Sequence, residues 1–435
     1  MSTRAMVGSI RVGVAVSLAI AGLGLTSATP ASAAWLSTEK QLTTNSYFKT
    51  APEISGTKVA YSDYRNEHDV GDVDDPDTLY DVRVLDLKTG KDRLITPKHD
   101  AYGDPRISGN IVVWSDYHGR MWYHNLATGT HKKVPVIGYN YEIDGNRICY
   151  DRSGRVYVYD LKKKKETALS PKTMDSGACH IKGSIVVWES YTSANNYDIQ
   201  AYNLSTKKRT ALTNSTGAQQ EARTDGTWVV WVDEATDFFG DVYAYNLFTH
   251  VKRLILPSTQ EQWQPDISGG RIVLLNNPDP LHQTIAQAYL YDLTTGVDTA
   301  ITAANPSDYV NDLRISGSRI VYSSDRFGQR QFFLRTIISP TVKASAPKKV
   351  AKGSTPTING TLKMGTTGIA GKNVLLEYST NNKTWKTGAS VVTALSGAFS
   401  ITGPVITKTT WVRVRFAGAT DFAPAVSAKL KVTKA

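Results

Sequence analysis

Short apolar runs recur along this chain, and each follows a triplet that resembles Ile-Ser-Gly. In the second copy, Ile107-Ser108-Gly109 precedes the apolar residues 111–114. This run is continuously apolar, as expected of a strand that is covered on both faces, and the glycine permits a tight turn before it. The triplets begin at seven positions, namely Ile54, Ile107, Ile143, Ile181, Thr224, Ile267 and Ile315.

Each apolar run is followed by two further strand patterns. Residues 156–159 and 242–245 alternate aromatic and aliphatic side chains, and a turn of the form Asp-Leu-x-Thr-Gly, as at 86–90, leads into a polar segment. Successive triplets lie 36 to 53 residues apart, which fits one four-stranded sheet for each copy. We therefore predict an all-β chain in which residues 34–338 form a seven-bladed β-propeller.

The seventh copy lacks its polar fourth strand. Its third strand, residues 331–336, runs directly into Ser339-Pro340. The early segment 40–44 has the polar composition expected of the missing fourth strand. We predict that this early segment pairs with residues 331–336 and closes the ring, because an unpaired strand edge favours aggregation.

These repeats resemble the TolB-type propeller repeat of periplasmic and secreted bacterial proteins. The resemblance covers residues 40–338 and rests on the Pro-x-Ile-Ser-Gly start, the apolar second strand, the segment 323–328 and the Tyr-x-Tyr-Asp-Leu exit. It implies a non-enzymatic binding scaffold. The TolB domain itself has six blades, whereas this sequence contains seven copies.

Residues 339–435 contain fewer aromatic residues and more Thr, Gly, Ser and Lys. Short strands at this spacing predict an immunoglobulin-like β-sandwich. The segments 371–379 and 411–418 resemble bacterial Ig-like modules, which implies a role in spacing or surface attachment. The predicted strands are 341–344, 357–362, 373–378, 398–401, 410–416 and 428–432.

The net charge of +11 is unevenly distributed. Residues 340–435 contain twelve Lys and two Arg against one Glu and one Asp, whereas residues 34–339 are slightly acidic. A basic end of this kind favours attraction to an anionic surface, with ordinary solubilising lysines as the alternative. Because the lysines are scattered and no recognition motif accompanies them, we expect no nucleic-acid partner.

The first 33 residues have the features of a secretory signal peptide. Two arginines precede an uncharged apolar stretch, residues 12–25, and Ala31-Ser32-Ala33 is a small-residue cleavage site. We expect cleavage before Ala34 and a secreted, extracellular or wall-associated protein. An N-terminal membrane anchor is the alternative, although the stretch is short for a span, and no later segment is long enough for one.

The residue before each triplet is ionisable in all seven copies. If the first strands line the axis of the ring, these side chains surround a channel. Their signs mostly alternate, so they either neutralise one another or bind a polar ligand. The column consists of Glu53, Arg106, Glu142, His180, Arg223, Asp266 and Arg314.

The two cysteines, Cys149 and Cys179, lie in neighbouring copies. In an oxidising compartment such a pair favours one disulfide, and two separate buried thiols are the alternative.

Other candidate chemistry is weak. Six aspartates between 69 and 81 suggest calcium, but the Gly and Glu of an EF-hand are missing, so a solvated acidic loop is favoured. No zinc motif, nucleophile elbow or phosphate loop occurs, so we expect no cofactor, no metal and no identifiable catalytic residue. Aspartates recur in a turn role at 63, 116, 233 and 325, and aromatic residues recur as core at 61, 114, 188, 231 and 322.

We therefore expect a non-catalytic binding or scaffold protein of the cell envelope, whose partner is an envelope protein or a polysaccharide. The alternative is a carbohydrate-active hydrolase or lyase that uses acidic residues of the channel. A cluster of Asp and Glu in an asymmetric pocket would favour the enzyme.

Overall fold

All regular elements of the described chain are β-strands. The structure is a computed structural model, and no helix long and apolar enough to cross a bilayer occurs among the residues that it describes. The predicted signal peptide and all but the last aspartate of the acidic loop lie outside these residues. The described residues are 36–65, 80–96, 101–116, 118–193, 196–235, 240–257, 261–277, 286–303, 305, 308–419, 422 and 424–435.

Between residues 40 and 336 the described strands form seven four-stranded antiparallel sheets. In chain order the strands are β1 (Lys40–Gln41), β2 (Lys49–Ser55), β3 (Lys58–Asp63), β4 (Asp81–Asp86), β5 (Asp92–Leu94), β6 (Gly103–Ser108), β7 (Ile111–Ser115), β8 (Arg120–Asn125), β9 (Thr130–Ile137), β10 (Tyr139–Asp144), β11 (Arg147–Arg152), β12 (Arg155–Asp160), β13 (Lys165–Ala168), β14 (Asp175–Lys182), β15 (Ile185–Ser193), β16 (Asn196–Asn203), β17 (Lys208–Ala211), β18 (Gln219–Thr224), β19 (Trp228–Asp233), β20 (Asp241–Asn246), β21 (Lys252–Leu254), β22 (Gln262–Ser268), β23 (Arg271–Asn276), β24 (Gln287–Asp292), β25 (Val297–Ala300), β26 (Val310–Ser316), β27 (Arg319–Ser324) and β28 (Gln331–Thr336).

The first sheet consists of β2 to β5, and each later sheet takes the next four strands, up to the sixth sheet, β22 to β25. The seventh sheet contains β26, β27 and β28, and its fourth strand is β1. Lys40 lies opposite Leu334 and Gln41 opposite Phe333. The predicted pairing of the early segment with the last strand is therefore confirmed.

The second strand of each sheet packs between neighbouring sheets. In β7, Val112 and Val113 are fully buried, and Val112 and Trp114 belong to one cluster with Val82 and Val84 of the first sheet. Burial on both faces explains why these strands are continuously apolar. The aromatic residues predicted as core all have exposed fractions of 0 to 1%, namely Tyr61, Trp114, Trp188, Trp231 and Tyr322.

Hydrogen bonds from a hairpin glycine join six of the seven neighbouring pairs of sheets, and Thr224 N–H donates to His180 Nδ1 at 3.2 Å between the fourth and fifth. The backbone N–H of Gly109 donates to Ser55 Oγ at 2.8 Å, and that of Gly145 donates to Ser108 Oγ at 2.9 Å. The series ends where Gly56 of the first sheet donates to Ser316 Oγ of the seventh at 3.0 Å. Other bonds of this kind join Gly183 to Asp144, Gly270 to Asp225 and Gly317 to Ser268.

A buried lysine joins the first sheet to the seventh. Lys49, at the start of β2, has no exposed surface. Its Nζ donates to the carbonyl oxygens of Asn45 at 3.3 Å, Tyr47 at 2.7 Å and Arg330 at 3.0 Å. Three carbonyl acceptors compensate an ammonium that has lost its water.

Residues 340–434 form two further sheets around their own apolar core. In chain order their strands are β29 (Pro340–Ser345), β30 (Lys349–Val350), β31 (Thr357–Met364), β32 (Thr367–Gly368), β33 (Asn373–Ser379), β34 (Lys386–Val392), β35 (Ala398–Thr402), β36 (Thr410–Phe416), β37 (Ala425–Val426) and β38 (Leu430–Lys434). One sheet contains β29, β31, β32 and β35, and the other contains the remaining six. Ile358, Leu376 and Val414 lie in the core between them. The six predicted strands are present with small shifts at their ends, whereas β34 and the two-residue strands β30, β32 and β37 were not predicted.

We predict that deleting residues 35–46 will lower the free energy of unfolding by several kcal/mol. The deletion exposes the edge of β28, where Leu42 N–H donates to the carbonyl of Phe332 at 2.8 Å, and it uncovers part of a core cluster that includes Tyr61. Urea unfolding measures the change. The control is Lys40→Ala, whose side chain is exposed and whose backbone pairing remains. A deletion variant as stable as the control would contradict the closure.

Candidate functional site

A β-bulge in the first strand of every sheet orients the seven ionisable residues that precede the triplets, which we call the column residues. In β10, Asn140 and Tyr141 together lie opposite the single residue Tyr150 of β11, and each of the other six first strands has the same extra residue. In six sheets the residue two before the column residue has a positive φ of 45 to 57° without being glycine. This conformation costs about 1 kcal/mol or more at each site, and bulges of this kind re-aim side chains. The six residues are Ala51, Asn140, Ala178, Glu221, Gln264 and Asp312.

Five column residues form one ion-pair network. Arg106 Nε lies 2.9 Å from Glu142 Oε1, and Arg223 Nη1 lies 2.6 Å from the same oxygen. Arg314 Nε lies 2.6 Å from Glu53 Oε1, which is also 3.9 Å from Arg106 Nη1. Because Arg223 of the fifth sheet reaches Glu142 of the third, these side chains converge on a common centre. Burial opposes ionisation of Glu142, but Arg223 and Arg106 hold its pKa below the ordinary value.

His180 and Asp266 are held by backbone groups instead. His180 Nδ1 accepts the N–H of Thr224 at 3.2 Å, and burial together with Arg223 holds its pKa well below the ordinary value, so the ring is neutral. Asp266 Oδ2 accepts the N–H of Ile315 at 2.8 Å, and burial raises its pKa to about 6. The alternation of signs predicted from the sequence therefore gives paired charges at five of seven positions.

A pocket of about 320 Å³ opens beside this network. We call it the axial pocket. Column residues of five sheets line it, and most of its other lining residues come from the third to sixth sheets. Its carboxyl groups beyond the column belong to Glu189 and Glu221, and Gln264 and Asn140 add amides.

Glu189 and Glu221 are adjacent in the axial pocket. Glu189 Oε1 accepts the backbone N–H of Glu221 at 2.7 Å, and Glu221 Oε2 accepts the backbone N–H of Gln264 at 2.6 Å. Glu189 is 9% exposed, and burial raises its pKa to about 7. Glu221 faces the water of the pocket but is enclosed by protein, and this desolvation raises its pKa, against the effect of Arg223.

Glu189 and Glu221 lie outside the column before the triplets, so neither was predicted from the sequence. Glu189 lies in a second strand, at a position where Ser62, Ser115 and Ser323 stand in other sheets. Glu221 occupies the extra position of a bulge. The same position holds Asp151, Val232 and Leu275 in the remaining sheets, so no shared residue type marks it, and an acidic residue inside a second strand was the available signal.

The two cysteines form a disulfide beside the axial pocket. Cys149 lies in β11 and Cys179 in β14, with a Cα–Cα distance of 6.2 Å and a sequence separation of 30 residues. Both lie in an apolar cluster with Trp188. The bond joins the third and fourth sheets, the latter of which also contains Glu189.

The remaining sequence candidates have structural roles. Asp116 Oδ1 accepts the N–H groups of His118 and Arg120 at 3.1 Å each, so its predicted turn role is confirmed. Asp81 of the predicted acidic loop is buried in β4. Within the described ranges, no three His, Cys, Asp or Glu side chains come together in a way that could hold a metal ion.

Several solved structures are similar to this chain. The β-propeller domain of the Trilobed protease from Pyrococcus furiosus matches with a TM-score of 0.51 at 15% identity, over 67% of this chain and 95% of that chain. A prolyl endopeptidase matches with a TM-score of 0.50 at 11% identity, over 75% of this chain and 56% of that chain. The putative TolB from Agrobacterium tumefaciens matches with a TM-score of 0.41 at 15% identity, over 59% and 98%. No protein-family model matches the sequence, and no curated protein matches it significantly.

The first two similarities establish a β-propeller fold for the main part of the chain, as predicted. They also correct the functional expectation. The propellers that this chain resembles are parts of a protease and of a prolyl endopeptidase, so the expectation of a non-catalytic binding or scaffold protein is wrong, and the hydrolase alternative fits better.

We predict that replacing both cysteines by alanine will lower the free energy of unfolding by about 3 to 4 kcal/mol, as loop-closure entropy for this separation implies. Urea unfolding of the double variant Cys149→Ala/Cys179→Ala measures the loss. Wild-type protein in reductant is the matched comparison. A loss below about 1 kcal/mol in both would show that the bond contributes little.

We predict that Glu189 makes the protein less stable as pH rises. Because its pKa is about 7 in the folded state against an ordinary 4.5, the folded state binds the proton more tightly. The unfolding free energy should therefore fall by up to about 3 kcal/mol between pH 4.5 and 7. Glu189→Gln should flatten this profile in urea unfolding, whereas the exposed Glu261→Gln should retain it. An unchanged profile in Glu189→Gln would assign the titration to another group.

Proposed function

We propose that this chain is a carbohydrate-active hydrolase whose reaction takes place in the axial pocket. The observation that carries this proposal is the Glu189–Glu221 pair, in which one carboxyl is buried with a pKa of about 7 and the other faces the pocket. A general acid is most effective when its pKa lies near the working pH. Two carboxyl groups in different environments are the arrangement that glycoside hydrolysis requires.

The surroundings of the two carboxyl groups suggest different roles. No cation contributes to the pKa of Glu189, and burial keeps its carboxyl about half protonated at neutral pH. Burial also raises the pKa of Glu221, but the N–H of Gln264 and the charge of Arg223 both favour its ionised form. Glu189 is therefore the acid and Glu221 the base.

The reaction then needs no group beyond water. Glu221 removes a proton from a water molecule in the pocket, and the water oxygen forms a bond to the anomeric carbon of the substrate. The glycosidic C–O bond breaks as Glu189 donates its proton to the leaving oxygen. One proton passes from water to Glu221 and one from Glu189 to the product, so the two residues exchange protonation states.

The lining of the axial pocket suits this chemistry better than peptide hydrolysis. None of the described residues that line it is Ser or Thr, and its one cysteine, Cys179, is held in the disulfide. The described lining therefore offers no hydroxyl or free thiol of Ser, Thr or Cys to act as the nucleophile of an acyl transfer. Peptides nevertheless belong in the test, because the similar propellers are parts of peptidases.

We predict that the chain from residue 34 onward will hydrolyse glycosides, and that Glu189→Gln will reduce the rate by about 10²- to 10⁴-fold. Reducing-end release from a panel of polysaccharides and cleavage of a panel of fluorogenic peptides measure the activity. The rate should fall as pH rises through about 7, because Glu189 then loses its proton.

The control is Glu261→Gln, an exposed residue outside the pocket lining, which should keep the wild-type rate. Full activity in Glu189→Gln would remove it as the acid. Cleavage of peptides but of no glycan would replace the carbohydrate assignment by a peptidase, and no hydrolysis of any panel member would overturn the proposal.

The finer organisation of the chain is part of the proposal. We take residues 1–33 as a signal peptide and the mature chain as secreted, with a seven-bladed propeller at 34–338 and an Ig-like β-sandwich at 339–435. The seven sheets and the hairpin bond from Gly56 to Ser316 support the first domain, and the separate apolar core supports the second. The basic charge of the second domain supports contact with an anionic envelope surface.

A further inference from the structure

A second cavity lies away from the axial pocket, at the junction of the third and fourth sheets. It has a volume of about 780 Å³. Cationic side chains outnumber acidic ones in its lining, and we call it the basic groove. Its charged residues are Arg147, Lys162, Lys163, Lys165 and Lys207 against Asp144 and Asp160.

Two equivalent turns bring these lysines together. Asp160 Oδ1 accepts the N–H groups of Lys162 and Lys163 at 3.0 and 2.9 Å, and Asn203 holds the next sheet's turn in the same way. The left-handed position of each turn is a lysine, Lys164 with φ 53° and Lys207 with φ 58°. The same position holds glycine in three other sheets, at Gly90, Gly129 and Gly296. A side chain is disfavoured there, yet both sheets that border the groove have lysine.

The charge of the basic groove is not neutralised from within. Asp144 is engaged by Lys182 Nζ and by the N–H of Gly183, both at 2.9 Å, and Asp160 is engaged by its own turn. Within the described part of the chain, the five cations of the groove form no ion pair. A concave surface with an excess of cations concentrates anions.

The uncharged part of the lining favours a sugar polymer over a nucleic acid. Tyr202, Leu204 and Val158 supply apolar surface, on which the C–H face of a sugar ring can pack. Binding of single-stranded nucleic acid relies on several aromatic platforms in succession, and Tyr202 is the one aromatic residue among the described lining residues.

We propose that the basic groove binds a segment of an acidic polysaccharide whose repeating carboxylate or sulfate groups pair with Lys162, Lys163 and Lys207. This names the substrate class of the proposed hydrolase and rests on that function for its role, although binding itself is independent of catalysis. Strand β10 connects the two sites. Asn140 lines the axial pocket and Asp144 lines the groove, about 13 Å apart along an extended strand.

The test uses the chain from residue 34 onward with polygalacturonate, neutral dextran and single-stranded DNA as probes. The triple variant Lys162→Gln/Lys163→Gln/Lys207→Gln should weaken polygalacturonate binding by about tenfold or more at about 0.1 M salt. The matched control, Lys88→Gln/Lys132→Gln/Lys133→Gln, removes the same charge from exposed positions outside the groove in residues 40–336 and should change the affinity less than about twofold.

Two further measurements separate this proposal from the catalytic one. Glu189→Gln should bind polygalacturonate as the wild type does, and the groove variant should hydrolyse short neutral substrates at the wild-type rate. An equal loss in the control variant would assign binding to net charge and overturn the proposal. The proposal would also be overturned if dextran bound as tightly as polygalacturonate. It would be overturned as well if DNA bound more tightly than polygalacturonate and the groove variant abolished that binding.

Discussion

The hydrogen bond between one hairpin and the next is the interaction on which this architecture depends. In six of the seven sheets a glycine N–H after the first strand would lose its water when the sheets come together, and a serine or aspartate of the preceding sheet replaces that water. In the fifth sheet the N–H of Thr224 donates to His180 Nδ1 of the fourth instead. Five copies contribute both a glycine donor and a serine or aspartate acceptor, and the series is complete only when Ser316 meets Gly56.

Much of the fold could be predicted from the sequence because it is repeated. Seven copies of the apolar run and its turn residues located the second and third strands closely, and residues 331–336 coincide with β28. The bulge before each column residue was not visible in the sequence. It places residues as different as Ala51, Gln264 and Asp312 at positive φ, where no shared residue type marks the position and tertiary packing decides the conformation.

Only those residues of the candidate site that recur at the same position in every repeat could be predicted from the sequence. The column from Glu53 to Arg314 could be identified as a set of facing charges, and five of its members meet. Glu189 could not be found by the same reasoning, because it lies outside the column and contacts the backbone of the next sheet. Facing charges in the column account for the ion-pair network, whereas the chemistry proposed here depends on a position whose residue type varies from sheet to sheet, beside the disulfide that joins the sheet of Glu189 to its neighbour.

The buried ammonium of Lys49 makes the beginning of the propeller dependent on its end. One of its three acceptors is the carbonyl of Arg330, more than 280 residues later in the chain. During synthesis all four strands of the first sheet emerge long before that carbonyl exists, so until then the ammonium has only the local carbonyls of Asn45 and Tyr47 as protein acceptors. Nascent chains that stop short of residue 330 would therefore leave the third hydrogen bond of this lysine to water, however many central repeats they had completed.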